Sequence, residues 1–109
     1  MLGAVTGDAF VVLAEPTRRR ILDELRGAER NVGELVGSLD LPQPTVSKHL
    51  KVLREAGFVS ARVAAQQRIY RLEAAPFAAL ASWLEPYRVL WDRHLDALER
   101  HLDGQRGSR

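Results

Sequence analysis

A chain of 109 residues makes one domain with a modest core and a large exposed surface. It is 46% apolar and 28% charged, a globular balance, and its longest apolar run (residues 9–14) is too short for a membrane span or a signal-peptide core, so the expected location is cytoplasmic. The absence of cysteine excludes disulfides, thiolate metal sites and thiol nucleophiles, while the net charge of +2 leaves the partner to be read from where the charge lies.

Asp8 can cap a first short helix with apolar positions at Phe10, Val11 and Leu13. A second helix follows in Glu15-Pro16-Thr17-Arg18-Arg19-Arg20-Ile21-Leu22-Asp23-Glu24-Leu25. Pro16 suits its first turn, Gly27 its stop, and Ile21, Leu22 and Leu25 form its buried stripe. The arginine triplet is locally dense, and two of its members serve mainly to solvate the helix. Asn31 and Glu34 have capping-box spacing and open a helix from Val32 to about Leu39, with Leu35 and Leu39 facing inward. Asp40-Leu41-Pro42 is the turn.

The next helix starts at Gln43 or Pro44. Val46, Leu50 and Leu53 fall on one face, and Pro44, Lys48, Lys51 and Glu55 point almost directly opposite. Thr45 and Ser47 lie on the flanks, with His49 at the edge of the core. Residues 42–72 carry Lys48, Lys51, Arg54, Arg62, Arg68 and Arg71 against Glu55 alone, a net +5, whereas residues 1–41 total −2 and residues 73–109 total −1. A short helix, a tight turn and a second helix with a small, polar and basic outer face have the shape that enters a DNA major groove.

Two alternating β-rich runs come next, residues 58–63 and 68–72, with Ala64-Ala65-Gln66-Gln67 between them. They predict a two-stranded wing with Arg62 and Arg68 near its tip, within reach of phosphate. From residue 76 to 102 a single helix is expected, kinked or split after Glu85 by Pro86. Its stripe of Phe77, Leu80, Leu84, Tyr87, Trp91, Leu95, Leu98 and Leu102 is longer than so small a domain can cover. Pairing with the same helix of a second chain follows. The expected dimer interface is Phe10, Leu84, Tyr87, Trp91, Leu95 and Leu98. Residues 1–103 are thus read as one winged helix-turn-helix domain, mainly α with a small β-hairpin, dimerising through its C-terminal and N-terminal helices. Residues 104–109 are read as a disordered tail.

The segments Leu13-Ala14-Glu15-Pro16-Thr17-Arg18-Arg19-Arg20-Ile21-Leu22 and Gln43-Pro44-Thr45-Val46-Ser47-Lys48-His49-Leu50-Lys51-Val52-Leu53-Arg54-Glu55-Ala56-Gly57 resemble the ArsR/SmtB-type winged helix-turn-helix repressors. The resemblance runs from about Asp8 to Leu102 and implies a homodimer that binds operator DNA and represses transcription. Many such proteins sense metals, and this chain departs from them at both of the family's sites. Residues 34–39, where the thiolate motif falls, contain no sulfur. Asp92 and His94 match the opening of the C-terminal-helix site, but position 105 is Gln and His101 is misplaced. A non-metal-sensing member is therefore expected, with no metal site, no cofactor and no identified inducer. Pro42 stands where the family commonly has a serine cap, and Ala64 and Ala65 stand in a turn that commonly holds glycine.

The resulting reading is a DNA-binding regulator of double-stranded DNA, not an enzyme. Gln43, Thr45, Ser47 and Lys48 would read bases, with His49 a lesser contributor, and Lys51, Arg62 and Arg68 would hold phosphates. The alternative is a winged-helix protein-interaction module without specific DNA binding, which a salt-independent affinity would reveal.

Overall fold

The computed structural model describes the backbone of residues 7–107 and the side chains of residues 9–104. The elements follow the chain as α1 (Gly7–Ala14), α2 (Pro16–Gly27), β1 (Arg30–Asn31), α3 (Val32–Leu39), α4 (Gln43–Glu55), β2 (Val59–Ala64), β3 (Gln67–Leu72) and α5 (Ala74–Gly107). The sheet is antiparallel, in the order β1-β3-β2. No helix among the described residues is long and apolar enough to cross a membrane.

Side chains that satisfy helix ends explain most of the boundaries. The carboxylate of Glu15 accepts the backbone N–H of Thr17 at 2.7 Å and starts α2, with Pro16 in the first turn. Asn31 and Glu34 form the expected reciprocal capping box at the start of α3. That helix stops where Asp40 turns left-handed at φ 56°. At the end of α4, Gly57 takes φ +82°, its N–H bonds the Arg54 carbonyl, and the Phe58 N–H reaches back to Leu53, a Schellman stop. The chain thus turns sharply and drops Phe58 into the core.

That core is built from Ile21, Leu22 and Leu25 of α2, Leu35 and Leu39 of α3, Val46, Leu50 and Leu53 of α4, and Phe58, Val59 and Tyr70 around the sheet. Every inward position expected of α2, α3 and α4 is buried. In α1 the outcome differs. Val12 is the buried residue, while Phe10 and Val11 are exposed. Phe10 instead meets Trp83 of α5 edge-on, with ring centroids 5.3 Å apart. The helix starts at Gly7, before the proposed Asp8 cap, whose side chain lies outside the described residues.

The hairpin is tighter than the sequence suggests. Ala64 pairs with Gln67, leaving a two-residue turn, Ala65-Gln66, with φ of 52° and 67°. Two positive φ values fit the right-handed twist of the flanking strands, yet they are normally met by Asn and Gly. β1 is a third strand with no counterpart in the expected elements, placing Arg30 opposite Tyr70 and Asn31 opposite Ile69. Two residues carry no periodic signal.

α5 runs unbroken for 34 residues, about 51 Å, through Pro86. The expected split after Glu85 does not occur: proline withholds one N–H from the Ser82 carbonyl, and the rest of the ladder carries the helix on. Its helical backbone also runs over residues 104–107, within the segment expected to be a tail; Ser108 and Arg109 lie outside the described residues. Phe77 meets Phe58 edge-on at 5.3 Å, and Leu80 packs on the core. From Ala81 to Gly104 every residue is exposed.

The wing turn is the strained element. Replacing Ala65→Asn and Gln66→Gly together should stabilise the fold by about 1–2 kcal/mol, since left-handed backbone costs an ordinary L-residue roughly that much. A melting temperature raised by about 5 °C in calorimetry is the expected result. An unchanged or lower value would show that the turn is unstrained.

Candidate nucleic-acid interface

Burial sorts the side chains of α4. With Val46, Leu50 and Leu53 locked inward, Gln43, Pro44, Ser47, Lys48 and Lys51 are exposed, and Thr45 and His49 are half-buried. No side chain caps the N-terminus of α4. The Pro42 carbonyl accepts the N–H groups of Thr45 and Val46 at 3.1 and 3.2 Å. The N-terminal end of α4 therefore keeps its positive dipole unshielded by any capping carboxylate. The family's serine cap, missing here, is replaced by nothing that competes for an anion.

His49 is turned towards α2, not squarely outward. Its Nδ1 lies 3.4 Å from Nη1 of Arg18. Arginine can only donate, so Nδ1 accepts and the proton resides on Nε2. Burial pushes the His49 imidazole below its ordinary value of 6.5, Arg18 and Lys48 push the same way, and Glu15 opposes them.

The arginine triplet has a structural task in all three members. Arg18 donates to the carbonyls of Val12 and Val11 at 2.8 and 3.2 Å, and Arg19 to Leu13 at 2.6 Å, closing the C-terminus of α1. Arg20 donates to Leu39 at 3.1 Å and closes α3. Positive groups at carbonyl-rich helix ends satisfy both the orphan acceptors and the dipole.

On the wing, the register separates the two arginines expected to act together. Residues directly opposite each other share a face. Arg68 faces Val63 across the ladder, on the side that carries Ala61 and buried Tyr70 farther down. Arg62 pairs with Ile69, on the other side. There its guanidinium bonds Glu29 Oε1 through Nη2 at 2.9 Å and Nε at 3.3 Å. Arg68 and Gln67, with Asn31, Val32 and Gly33, line a depression of about 200 Å³ between the wing and the start of α3. Asn31 and Glu29 had no place in the sequence-derived site. Their contacts lie 36 and 33 positions along the chain, where no local pattern can signal them.

The residues expected at a dimer interface, Phe10, Leu84, Tyr87, Trp91, Leu95 and Leu98, are all exposed, Trp91 by 64%. Leu84, Tyr87, Arg88 and Trp91 line an apolar groove of about 410 Å³, and Arg88 is bonded to Glu85 and Asp92, each at 2.6 Å. Among the described residues no three His, Cys, Asp or Glu side chains are grouped to hold a metal ion.

A short helix, a tight turn, a second helix with an outward basic face and a flanking two-stranded wing define the winged helix-turn-helix class of DNA-binding proteins. The family model described as bacterial regulatory protein, arsR family, matches residues 15–61. The HTH-type transcriptional regulator Rv2034 of Mycobacterium tuberculosis is 37% identical over 97 residues, covering 89% of this chain and 88% of that protein. The biofilm growth-associated repressor of Agrobacterium fabrum is 50% identical over 60 residues, 55% of this chain and 51% of that relative, about half its length. Among solved structures, the homodimeric winged helix-turn-helix DNA-binding domain Mb0332 of Mycobacterium bovis, described as a possible ArsR-family regulator, aligns with TM-score 0.59 at 28% identity, over 83% of this chain and 81% of that one. The chain belongs to the ArsR family of bacterial transcriptional regulators.

His49 should leave a pH signature in stability. Its folded-state value lies below that of the unfolded chain, so the unfolded chain binds more protons between the two. Its contribution is therefore complete above about pH 6.5 and declines as pH falls towards the folded value. His49→Gln should flatten the fall in urea midpoint between pH 7.5 and 5.5. An equally steep fall in the variant would assign the effect to other groups.

Proposed function

We propose that the protein is a homodimeric repressor acting in the cytoplasm on a roughly palindromic operator, with α4 in the major groove and the β2–β3 wing on the neighbouring backbone or minor groove. The observation that carries this reading is the sorting of side chains on α4. Its apolar face is locked into the core, which leaves Gln43, Ser47, Lys48 and Lys51 outward beside an uncapped helix N-terminus. In this arrangement Gln43, Thr45, Ser47 and Lys48 read base edges, with His49 at the margin, and Lys51 and Arg68 hold phosphates. Arg62, engaged by Glu29, reaches phosphate only if that pair opens.

A second copy of the chain is supported by the α5 stripe. Leucines and aromatics exposed from Leu84 to Leu102 are more than isolated apolar surface, and their spacing of three and four is that of a helix seam. The homodimeric Mb0332 domain and the repressor name of the Agrobacterium relative point the same way. Two-fold pairing sets two recognition helices about one turn of DNA apart, roughly 34 Å.

Selection from random DNA should enrich a palindrome. Against the selected operator, Lys48→Ala should relax base preference. Arg68→Ala should weaken all sequences alike and reduce the salt slope by about one. An affinity indifferent to salt, with no enriched sequence, would instead mark a protein-interaction module. Separately, Leu95→Glu with Leu98→Glu should sediment as a monomer and bind operator far more weakly. A dimer that survives both charges would place the interface elsewhere.

A further inference from the structure

The distal half of the wing has no core beneath it. Val59 and Tyr70 anchor its base, but Arg62, Val63 and residues 65–68 are exposed, and β1 pairs only with Ile69 and Tyr70. The ladder alone would let this end swing with the twist of a two-stranded ribbon. Three side-chain bonds from residues 29 and 31 hold it, one reaching past the paired region to Gln67 and two crossing to Arg62 at the level of Ile69. Asn31 Nδ2 donates to Gln67 Oε1 at 3.1 Å, beside the turn, and Glu29 takes the fork of Arg62.

Asn31 does two jobs with one amide. Its Oδ1 accepts the Glu34 N–H at 2.8 Å, as the N-cap of α3. With the oxygen committed to a backbone donor, the amide orientation is settled and Nδ2 must face the wing. The first helix of the helix-turn-helix and the wing's turn are thereby joined through a single side chain. The ladder register completes the arrangement: one face of the ribbon carries Arg62 to the brace, and the opposite face carries Arg68.

We propose that Asn31, Gln67, Glu29 and Arg62 are positioning residues for DNA binding, a brace that sets the angle of the wing so that Arg68 meets a phosphate. The inference rests on the reading that the wing contacts DNA. It gives Arg62 a role through Glu29, not through the nucleic acid.

The test uses the full-length protein and its selected operator. Asn31→Ser keeps a good cap in the same capping box and lacks the amide donor. Gln67→Ala removes the acceptor and leaves the cap untouched. Each should weaken operator binding about threefold, and the double variant should be no weaker than either single, because both cut the same bond. Hydroxyl-radical protection should fade at the wing-side phosphates and persist where α4 lies. Arg62→Glu should weaken binding further by setting two carboxylates together, and Glu29→Arg with Arg62→Glu should restore it to within about twofold. Thermal melting of each variant controls for folding. Gln67→Ala carries the test if Asn31→Ser loses stability.

Wild-type affinity in both Asn31→Ser and Gln67→Ala would overturn the brace. So would a charge-swapped pair as weak as Arg62→Glu alone, since a direct phosphate contact requires a cation at position 62. A wild-type protein that selects no operator would bring down the DNA reading itself, a result distinct from any variant failing against a working wild type.

Discussion

The fold depends on the inward face of α4. Val46 and Leu53 are wholly buried and Leu50 nearly so, against Ile21, Leu35 and Phe58. Burying a side chain of this kind stabilises by about 1.5–3 kcal/mol relative to exposure, far more than any single polar contact on the surface. The helix has no side-chain N-cap, so packing does most of the work of holding its N-terminal half. Tertiary packing alone sets its rotation about its own axis. Once that rotation is set, the identity of the outward residues is no longer free, and Gln43, Ser47, Lys48 and Lys51 face solvent as a consequence.

A second layer of constraint comes from cations at helix ends. Arg18, Arg19 and Arg20 are consecutive, yet successive helical positions point about 100° apart, so they reach different carbonyls. One closes α1 and contacts His49, the next closes α1 as well, and the third closes α3. The triplet thus ties three short helices together from a single turn of α2. Such short helices are marginal by themselves, and each end closed by a guanidinium removes an unsatisfied acceptor that burial would otherwise penalise. A dense run of positive charge is consistent with a nucleic-acid contact, but here geometry commits it to the scaffold.

Much of this was legible in the sequence because periodicity reports burial. The stripes at Ile21, Leu22 and Leu25, at Leu35 and Leu39, and at Val46, Leu50 and Leu53 are all in the core, and the Asn31–Glu34 box formed as spaced. What was not legible depends on tertiary partners. Val12 is buried where the expected apolar positions of α1 were Phe10, Val11 and Leu13, and Phe10 meets Trp83 edge-on at the surface. β1 exists because β3 presents a free ladder edge, not because Arg30 and Asn31 favour a strand. The opposed faces of Arg62 and Arg68 follow from a two-residue turn, and one extra turn residue would have reversed one of them. Pro86 reads as a kink or a break in isolation, whereas the hydrogen-bond ladder on either side of it carries one helix through residues 74–107.

α5 links these layers to assembly through very few contacts. Phe77 against Phe58 and Leu80 against the core hold its start, Trp83 meets exposed Phe10 of α1, and beyond them Trp83 leans on Tyr87 at 5.1 Å within the helix itself. Phe58 is also the residue that terminates α4. Phe10 belongs to the helix that Arg18 closes while touching His49.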